Sequence, residues 1–403
     1  MIERLTRKNF LLEAVSALVV AMSTSVIGLW IFREGPRAIF KHGILLAGDG
    51  SLEGVYIRTA NQVPFLSSLV HPVAHTASLG WPGELNFSGY PVGQTTDLLM
   101  FRLIRRLTGV SDLGTLIHIM SILKVVPIAL AVFIFARLLK IPRILALAIS
   151  IGYSISTFNL VRSEGHIFLS FSWAIPLGLS AIYLAFQSSK RQSDGTFARR
   201  GWRHYLAISA LLVLVAFSGF YYTLFMGMLA FALLVPIALS EVWVQRSLPP
   251  KQGLGRLLRQ VFNRISSFIY VLFFLVLGLF YQTVPILLEA SKNPTLTGIA
   301  DRSPIEAVVY AGTLDSFFYD SSSLFLRMIK RQDLLNFLSG RISWEGSQLG
   351  ATAGIAAYVG IAFLVYTVIK RFFFANSNAQ KSKESLFADP KIQFVSYLLA
   401  VAF

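Results

Sequence analysis

The sequence predicts an all-α, polytopic membrane protein, and three observations lead to this fold class. The chain of 403 residues is 55% hydrophobic and only 14% charged, well below the charged share of about 25% in soluble domains. Its apolar residues gather into runs, and the first of these, 10–32, is long enough to cross a hydrocarbon core of about 30 Å. Lys and Arg cluster between alternate runs. A β-barrel would instead show strands of about ten residues with alternating hydrophobicity.

Nine apolar segments predict about nine transmembrane helices, at 10–32, 115–136, 143–160, 167–187, 205–217, 220–240, 267–288, 351–369 and 392–403. The stretch 205–240 is too long for one span, so we expect Ser218-Gly219 to divide it into a hairpin. The last segment is cut off at Phe403, which predicts that the C-terminus is truncated. We predict that residues 1–403 form a single transmembrane domain.

The formal net charge is +16, and the positive-inside rule explains it better than binding to nucleic acid does. More than half of the 36 Lys and Arg residues flank alternate apolar segments, beginning at the N-terminus. We therefore predict a cytoplasmic N-terminus and no nucleic acid partner. The chain has no cysteine, which excludes disulfides, cysteine-based zinc sites and thiol chemistry.

Two long loops, about 33–114 and 289–350, are predicted on the extracytoplasmic side, where long loops commonly carry function. Asp49 lies in the first loop between Gly48 and Gly50. Glycines on both sides let the backbone turn and expose a carboxylate, so Asp49 is a candidate general base or metal ligand. The alternative is an aspartate that only stabilises a turn.

Other candidate substrate-binding residues lie in short polar stretches outside the apolar runs. Arg162, Glu164 and His166 form a turn whose residue types suit a phosphate clamp with an acid/base partner. The alternative there is an ordinary polar hairpin. Glu84 and Asp97 bound a polar, turn-rich stretch that we expect to shape a pocket wall, with a plain loop as the alternative.

Residues 96–107 space their apolar side chains at helical intervals and predict an amphipathic helix in the membrane interface. Its basic face carries Arg102, Arg105 and Arg106, which suit the phosphate or diphosphate of a lipid. The alternative is a basic face that only extends its charges towards water.

Three further observations concern a lysine in an apolar run, two residues of the second loop and a pair of histidines. Lys124 falls within an apolar run, and we expect it to face the inside of the helix bundle. In the second loop, Trp344 is available to stack on a sugar ring and Glu345 is a candidate acid. His71 and His75 have a spacing that can bind zinc, but the HExxH pattern is missing, so no metal ligand is assigned.

With these motifs in view, the chain resembles the GT-C superfamily of multi-spanning glycosyltransferases, in particular its bacterial members. The resemblance covers about residues 10–350 and rests on the order of six short motifs. These are Gly48-Asp49-Gly50, Pro91-Val92-Gly93, Glu164-Gly165-His166 before Ser172-Trp173-Ala174-Ile175-Pro176, Ser218-Gly219-Phe220-Tyr221-Tyr222, Tyr310-Ala311-Gly312-Thr313-Leu314-Asp315 and Glu345-Gly346-Ser347-Gln348-Leu349-Gly350. The fifth motif departs from the pattern of the superfamily, which leaves Asp315 without an assigned role.

The resemblance implies a GT-C fold in a bacterial plasma membrane and transfer of a sugar on its extracytoplasmic face. The implied donor is a polyprenyl-phosphate-linked sugar held among membrane lipids, and the acceptor is an envelope glycan, lipid or protein. Asp49 would activate the acceptor, and a divalent metal is optional as a cofactor.

Two other functions remain open from the residues. A transporter or a lipid or polysaccharide flippase would account for the many spans and for Lys124, but it favours acids near mid-membrane and two matching halves. The acids lie mostly in the predicted outside loops, and no repeated half is apparent. A non-catalytic assembly protein of an envelope polysaccharide pathway is the third hypothesis, because a shared fold does not fix function.

Overall fold

The computed structural model describes residues 7–34, 49–60, 75–76, 85–86, 95–156, 159, 167–188, 201–246 and 254–292. This part of the chain is helical apart from one short antiparallel ladder, in which His75 lies opposite Asn86. The strands are β1 (His75–Thr76) and β2 (Leu85–Asn86). The α-helices are α1 (Arg7–Glu34), α2 (Asp49–Ala60), α3 (Thr95–Thr108), α4 (Leu113–Leu123), α5 (Val125–Leu138), α6 (Arg143–Ser154), α7 (Ala174–Ser188), α8 (Trp202–Ala216), α9 (Phe220–Arg246) and α10 (Leu254–Lys292).

Four helical stretches in the described residues are long and apolar enough to cross a membrane, which agrees with a membrane protein. They are Leu11–Leu29, Leu113–Leu138, Phe220–Leu239 and Leu258–Val284. The second of these joins α4 and α5, which are separated only by Lys124. Large apolar side chains on these stretches are exposed, as expected for surfaces that contact lipid.

The first seven predicted apolar segments coincide with helices, 115–136 with α4 and α5 together, and the last two lie outside the described residues. Helices α6, α7 and α8 are apolar but have only 12, 15 and 15 residues. The count of nine spans therefore stays a prediction. Helix α7 begins at Ala174 instead of 167 because a 3-10 turn, Phe168–Ser170, precedes it. Helix α10 begins at Leu254 instead of 267, since its first turns are amphipathic rather than uniformly apolar.

The predicted break at Ser218-Gly219 is confirmed. Helix α8 ends at Ala216 and α9 begins at Phe220. Gly219 has a φ of 137°, a backbone conformation that side chains with a Cβ rarely adopt. Ser218 donates its hydroxyl to the Leu214 carbonyl at 2.6 Å and so satisfies one of the last carbonyl groups of α8.

The ends of the described helices form two groups. Near the start of α1, Glu13 contacts Arg137 at the end of α5. Further along α1, Gly28 lies against Val125 at the start of α5. The chain connections place the ends of α7 and α9 and the starts of α6, α8 and α10 with Glu13. We call this group the basic end, because Arg137 and Arg143 hold Glu13 there.

The opposite group of helix ends holds α2, α3, the 3-10 turn and the α8–α9 hairpin. Glu53 on α2 and Asp97 on α3 are both buried there, and we call this group the acidic end. The main core lies between the two ends, where α4, α5 and α7–α10 pack together through buried apolar side chains. The core therefore lies between the basic end and the acidic end and keeps them apart.

Candidate functional site

The acidic end contains two neighbouring carboxyl groups that are removed from water. Glu53 is 3% exposed and Asp97 is completely buried. Both Asp97 carboxyl oxygens accept no hydrogen bond from the residues that the structure describes. Burial raises the pKa of Asp97 well above its ordinary value, and the nearby negative charge of Glu53 raises it further. A buried acid without hydrogen bonds destabilises a fold by about 1–3 kcal/mol or more, so such a group usually has a chemical role.

Helix α3 places Asp97 on its buried face. Leu98, Phe101 and Ile104 are buried on this helix as well, which confirms the predicted amphipathic helix. Asp97 lies one residue before Leu98 in the first turn, where the helix dipole favours a negative charge. The backbone N–H of Thr96 donates to the Phe217 carbonyl at 2.9 Å and ties this first turn to the α8–α9 hairpin.

Glu53 joins α2 to the 3-10 turn. Its Oε2 accepts a hydrogen bond from the Phe168 backbone N–H at 3.1 Å. Phe168 begins the 3-10 turn and follows the segment that carries Arg162, Glu164 and His166. This hydrogen bond therefore ties α2 to the start of the 3-10 turn.

Aromatic rings of the main core join α2, α3 and the 3-10 turn. Tyr56 is buried on α2, and its ring meets Phe168 edge to face with centroids 6.0 Å apart. Phe101 contacts both Phe168 and Phe171 in the same manner, at 6.4 and 6.0 Å. Such edge-to-face pairs fix ring orientation and exclude water. The low local dielectric strengthens the electrostatic interaction between the two carboxyl groups.

The predicted basic face of α3 divides into buried and exposed parts. Arg102 and Arg105 are half-buried, whereas Arg106 is exposed. The charge of Arg102 acts on the Tyr56 hydroxyl, whose pKa is raised by burial. Burial in turn lowers the pKa of Arg102. These three cations can bind an anionic group at the acidic end, with Arg102 nearest to Tyr56.

Lys124 faces the inside of the bundle, as the sequence predicts. It is 1% exposed, donates to the Asn159 carbonyl at 2.5 Å and lies 5.8 Å from the centre of the Phe171 ring. The Asn159 side chain donates to the Tyr153 carbonyl and accepts from the Ser172 hydroxyl. This network holds together the end of α6 and the residues just after the 3-10 turn.

Side-chain hydrogen bonds hold the α8–α9 hairpin in place at the acidic end. Trp173 donates its indole N–H to the Ser218 hydroxyl at 3.0 Å. Gln282 on α10 donates to the Ala216 carbonyl and, at 3.3 Å, to the Thr223 hydroxyl. Neutral hydrogen bonds and close packing therefore position this hairpin.

The structure brings together some of the predicted site residues. Asp97 and the three α3 arginines all lie at the acidic end. Asp97 lies in the helix predicted over 96–107, and it is completely buried on α3. Asp49 was expected in a turn between glycines but is the first residue of α2. Its helix also belongs to the acidic end.

The remaining predicted substrate-binding residues lie outside the described part of the chain: Glu84, Arg162, Glu164, His166, Trp344 and Glu345. Their roles stay predictions. The described residues contain no group of three or more His, Asp or Glu side chains that could hold a metal ion. The optional divalent metal therefore finds no complete ligand set within the described part of the fold.

Sequence reasoning missed Glu53, although one signal was available. Glu53 follows Asp49 by four residues, the spacing that places two positions on one face of a helix. The prediction of a turn at Gly48-Asp49-Gly50 left this helical spacing out of account.

Comparisons with known proteins leave the family of the chain open. No family model matches the sequence, and a search of curated proteins finds no match to it either.

Proposed function

We propose that this chain is a membrane glycosyltransferase that moves a sugar from a polyprenyl-phosphate donor to an envelope acceptor, on the extracytoplasmic face of a bacterial plasma membrane. The observation that carries the proposal is the pair of buried acids, Glu53 and Asp97, at the end of a membrane-type helix bundle, the latter on a helix that also carries three arginines. Acids and cations at one end of such a bundle suit a lipid-linked phosphate substrate and an acceptor that must lose a proton.

The proposed reaction uses Asp49 as the general base. As the acceptor oxygen bonds to the anomeric carbon of the sugar, its proton passes to Asp49. The bond between that carbon and the phosphate oxygen breaks, and the polyprenyl phosphate leaves with the electron pair. The cations Arg102, Arg105 and Arg106, together with Arg162, neutralise the charge that develops on this phosphate.

One observation favours a second candidate, a transporter or flippase. The span Leu113–Leu138 is interrupted at Lys124, a buried cation with Pro127 one turn later. Interrupted helices with buried charges line substrate paths in many transporters. The Lys124 ammonium donates to the Asn159 carbonyl, however, and this contact accounts for the buried cation as a structural connection between helices.

The test is sugar transfer by the purified full-length protein from a panel of polyprenyl-phosphate sugars to envelope acceptors. The variant is Asp49→Asn, and the matched control is Asp112→Asn, an exposed aspartate before α4 whose capping role asparagine can also fill. We expect transfer by the wild type and the control, and a loss of about 100-fold or more in Asp49→Asn.

Undiminished transfer by Asp49→Asn would refute the assigned base. If no donor supports transfer while lipid or sugar crosses the membrane of proteoliposomes that contain the protein, the transporter function would replace the proposal.

A further inference from the structure

We propose that the start of α10, together with the first turn of α8, binds anionic phospholipids of the membrane leaflet at the basic end. We call this surface the lipid face and define it by five exposed residues, Trp202, Arg203, Leu258, Arg259 and Phe262. The inference does not depend on the proposed glycosyltransferase function, because that function is assigned to the acidic end.

Helix α10 is too long to lie wholly within the hydrocarbon core of a membrane. Its apolar stretch Leu258–Val284 has 27 residues, a length of about 40 Å, whereas the core is about 30 Å thick. The polar side chains on its surface show which end projects. Arg259 and Asn263 are exposed near its start, whereas every exposed side chain described from Ile269 to Val284 is apolar. The first turns of α10 therefore lie at the level of the lipid headgroups, where polar side chains are favoured.

Contacts between α8 and α10 place the first turn of α8 near the same level. The ring of Tyr205 meets the ring of Tyr270 edge to face, with centroids 5.5 Å apart. Further along both helices, a Cβ added at Gly278 would lie 2.5 Å from the Ala216 Cβ, so the two helices run in the same direction. Trp202 precedes Tyr205 by one turn and therefore lies at the level of the turn of α10 that precedes Tyr270.

The lipid face exposes large apolar side chains next to cations. Trp202 is 71% exposed, and Leu258 and Phe262, one turn apart on α10, are 60% and 59% exposed. The guanidinium carbon of Arg203 lies 5.8 Å from the centre of the Trp202 ring. Tryptophan is enriched at membrane interfaces, where its ring contacts lipid and its N–H meets water. The long side chain of arginine lets its charge reach the headgroups from the same level.

The charge of this region indicates the kind of lipid. The segments 201–206 and 254–267 contain no Asp or Glu. They carry Arg203, Arg256, Arg259 and Arg264. Across 241–264 the chain has five basic residues and a single acid, Glu241. Glu13, at the same end of the bundle, is already held by Arg137 and Arg143. A zwitterionic headgroup carries its own cation, so an anionic headgroup is the better electrostatic match to this surface.

The first test measures lipid binding to the purified full-length protein by native mass spectrometry. The probe is phosphatidylglycerol, and phosphatidylcholine is the neutral comparison. We expect phosphatidylglycerol to bind more tightly, and we expect Arg203→Gln and Arg259→Gln each to weaken its binding about 5-fold. The matched control Arg58→Gln removes an exposed charge from α2 and should leave this affinity unchanged. Equal affinity of the wild type for the two lipids, or unchanged affinity in both lipid-face variants, would overturn the proposal.

The second test locates the lipid face relative to the bilayer. Because the chain has no cysteine, a spin label can be attached at one position through Phe262→Cys or, for comparison, Ile269→Cys. In bilayers that contain phosphatidylglycerol, we expect both labels to be more accessible to oxygen, which dissolves among acyl chains, than to a water-soluble nickel chelate. A label at position 262 that the nickel chelate reaches more readily than oxygen would overturn the proposal. The apolar side chains of the lipid face would then be available to a soluble partner instead.

Discussion

The two ends of the bundle hold their acids in opposite ways. At the basic end, Arg137 donates two hydrogen bonds to the two Glu13 oxygens, at 3.0 and 2.7 Å, and Arg143 donates two more at 3.2 and 3.0 Å. Three helices, α1, α5 and α6, meet at this one carboxylate. At the acidic end, Asp97 is more deeply buried and accepts no hydrogen bond from the described residues.

This difference separates acids that stabilise the fold from acids that destabilise it. A carboxylate held by two guanidinium groups is compensated and contributes to structure. A buried carboxyl beside another carboxyl destabilises the fold, and proteins keep such groups mainly where chemistry requires them. Contacts between neutral groups position the α8–α9 hairpin at the acidic end, and Asp97 takes no part in them.

The variant with the largest expected loss of stability is Gly278→Ala. It tests whether close packing of α10 against α8 holds the acidic end together. A Cβ added at Gly278 would lie 2.5 Å from the Ala216 Cβ and 3.1 Å from its Cα, so Gly278→Ala must push α10 away from α8. We expect a loss of about 2 kcal/mol in the free energy of unfolding. The control Gly227→Ala has open space around the added Cβ. Equal stability of the two variants in chemical denaturation would contradict this role of packing.

A smaller effect is expected at the basic end. Arg137→Lys keeps the positive charge but loses the paired hydrogen bonds to Glu13 and the bond to the Ile141 carbonyl. Because these side chains are partly exposed, we expect a loss of about 1 kcal/mol, with a larger loss at low salt. Arg203→Lys, an exposed position, serves as the control in thermal unfolding. Equal thermal stability of Arg137→Lys and Arg203→Lys would show that the paired hydrogen bonds of Arg137 do not contribute to stability.

The smallest effect concerns Asp112, an exposed acid that is neither held by arginines nor buried. Its carboxylate accepts from the Thr115 backbone N–H at 2.7 Å and caps α4, and this hydrogen bond lowers the pKa of Asp112. A lowered pKa in the folded state adds stability above the ordinary pKa, and this stability is lost as the pH falls through the lowered value. Asp112→Ala should therefore slightly lower Tm at neutral pH and have no effect in strong acid. A deficit that persists in strong acid would contradict the charge-based part of this cap.

Local sequence patterns predicted the elements but not the contacts between them. The hairpin break at Ser218-Gly219, the helix around Leu98 and Phe101, and the inward-facing Lys124 all follow from residue spacing or backbone preference. These signals are contained within a few turns of the chain.

The pairings of the acids could not be predicted in the same way. Glu13 lies in the first predicted apolar run, 10–32, and its pairing with Arg137, 124 residues away, depends on how α1 packs against α5. The Glu53–Asp97 pair likewise depends on the packing of α2 against α3. Neither pairing leaves a local pattern in the sequence.

The most direct test of the account compares thermal unfolding of Asp97→Asn and Glu13→Gln at about pH 8 and about pH 4. Asp97 has a raised pKa in the folded state, so its native-state stability is greatest below its ordinary pKa and falls as the pH rises through the raised value. At about pH 8 we predict that Asp97→Asn raises Tm while sugar transfer falls, and that Glu13→Gln lowers Tm while transfer is kept. Near pH 4 the gain in Asp97→Asn should vanish. If Asp97→Asn lowers Tm at pH 8 and retains transfer, Asp97 is a structural acid like Glu13 and the account is contradicted.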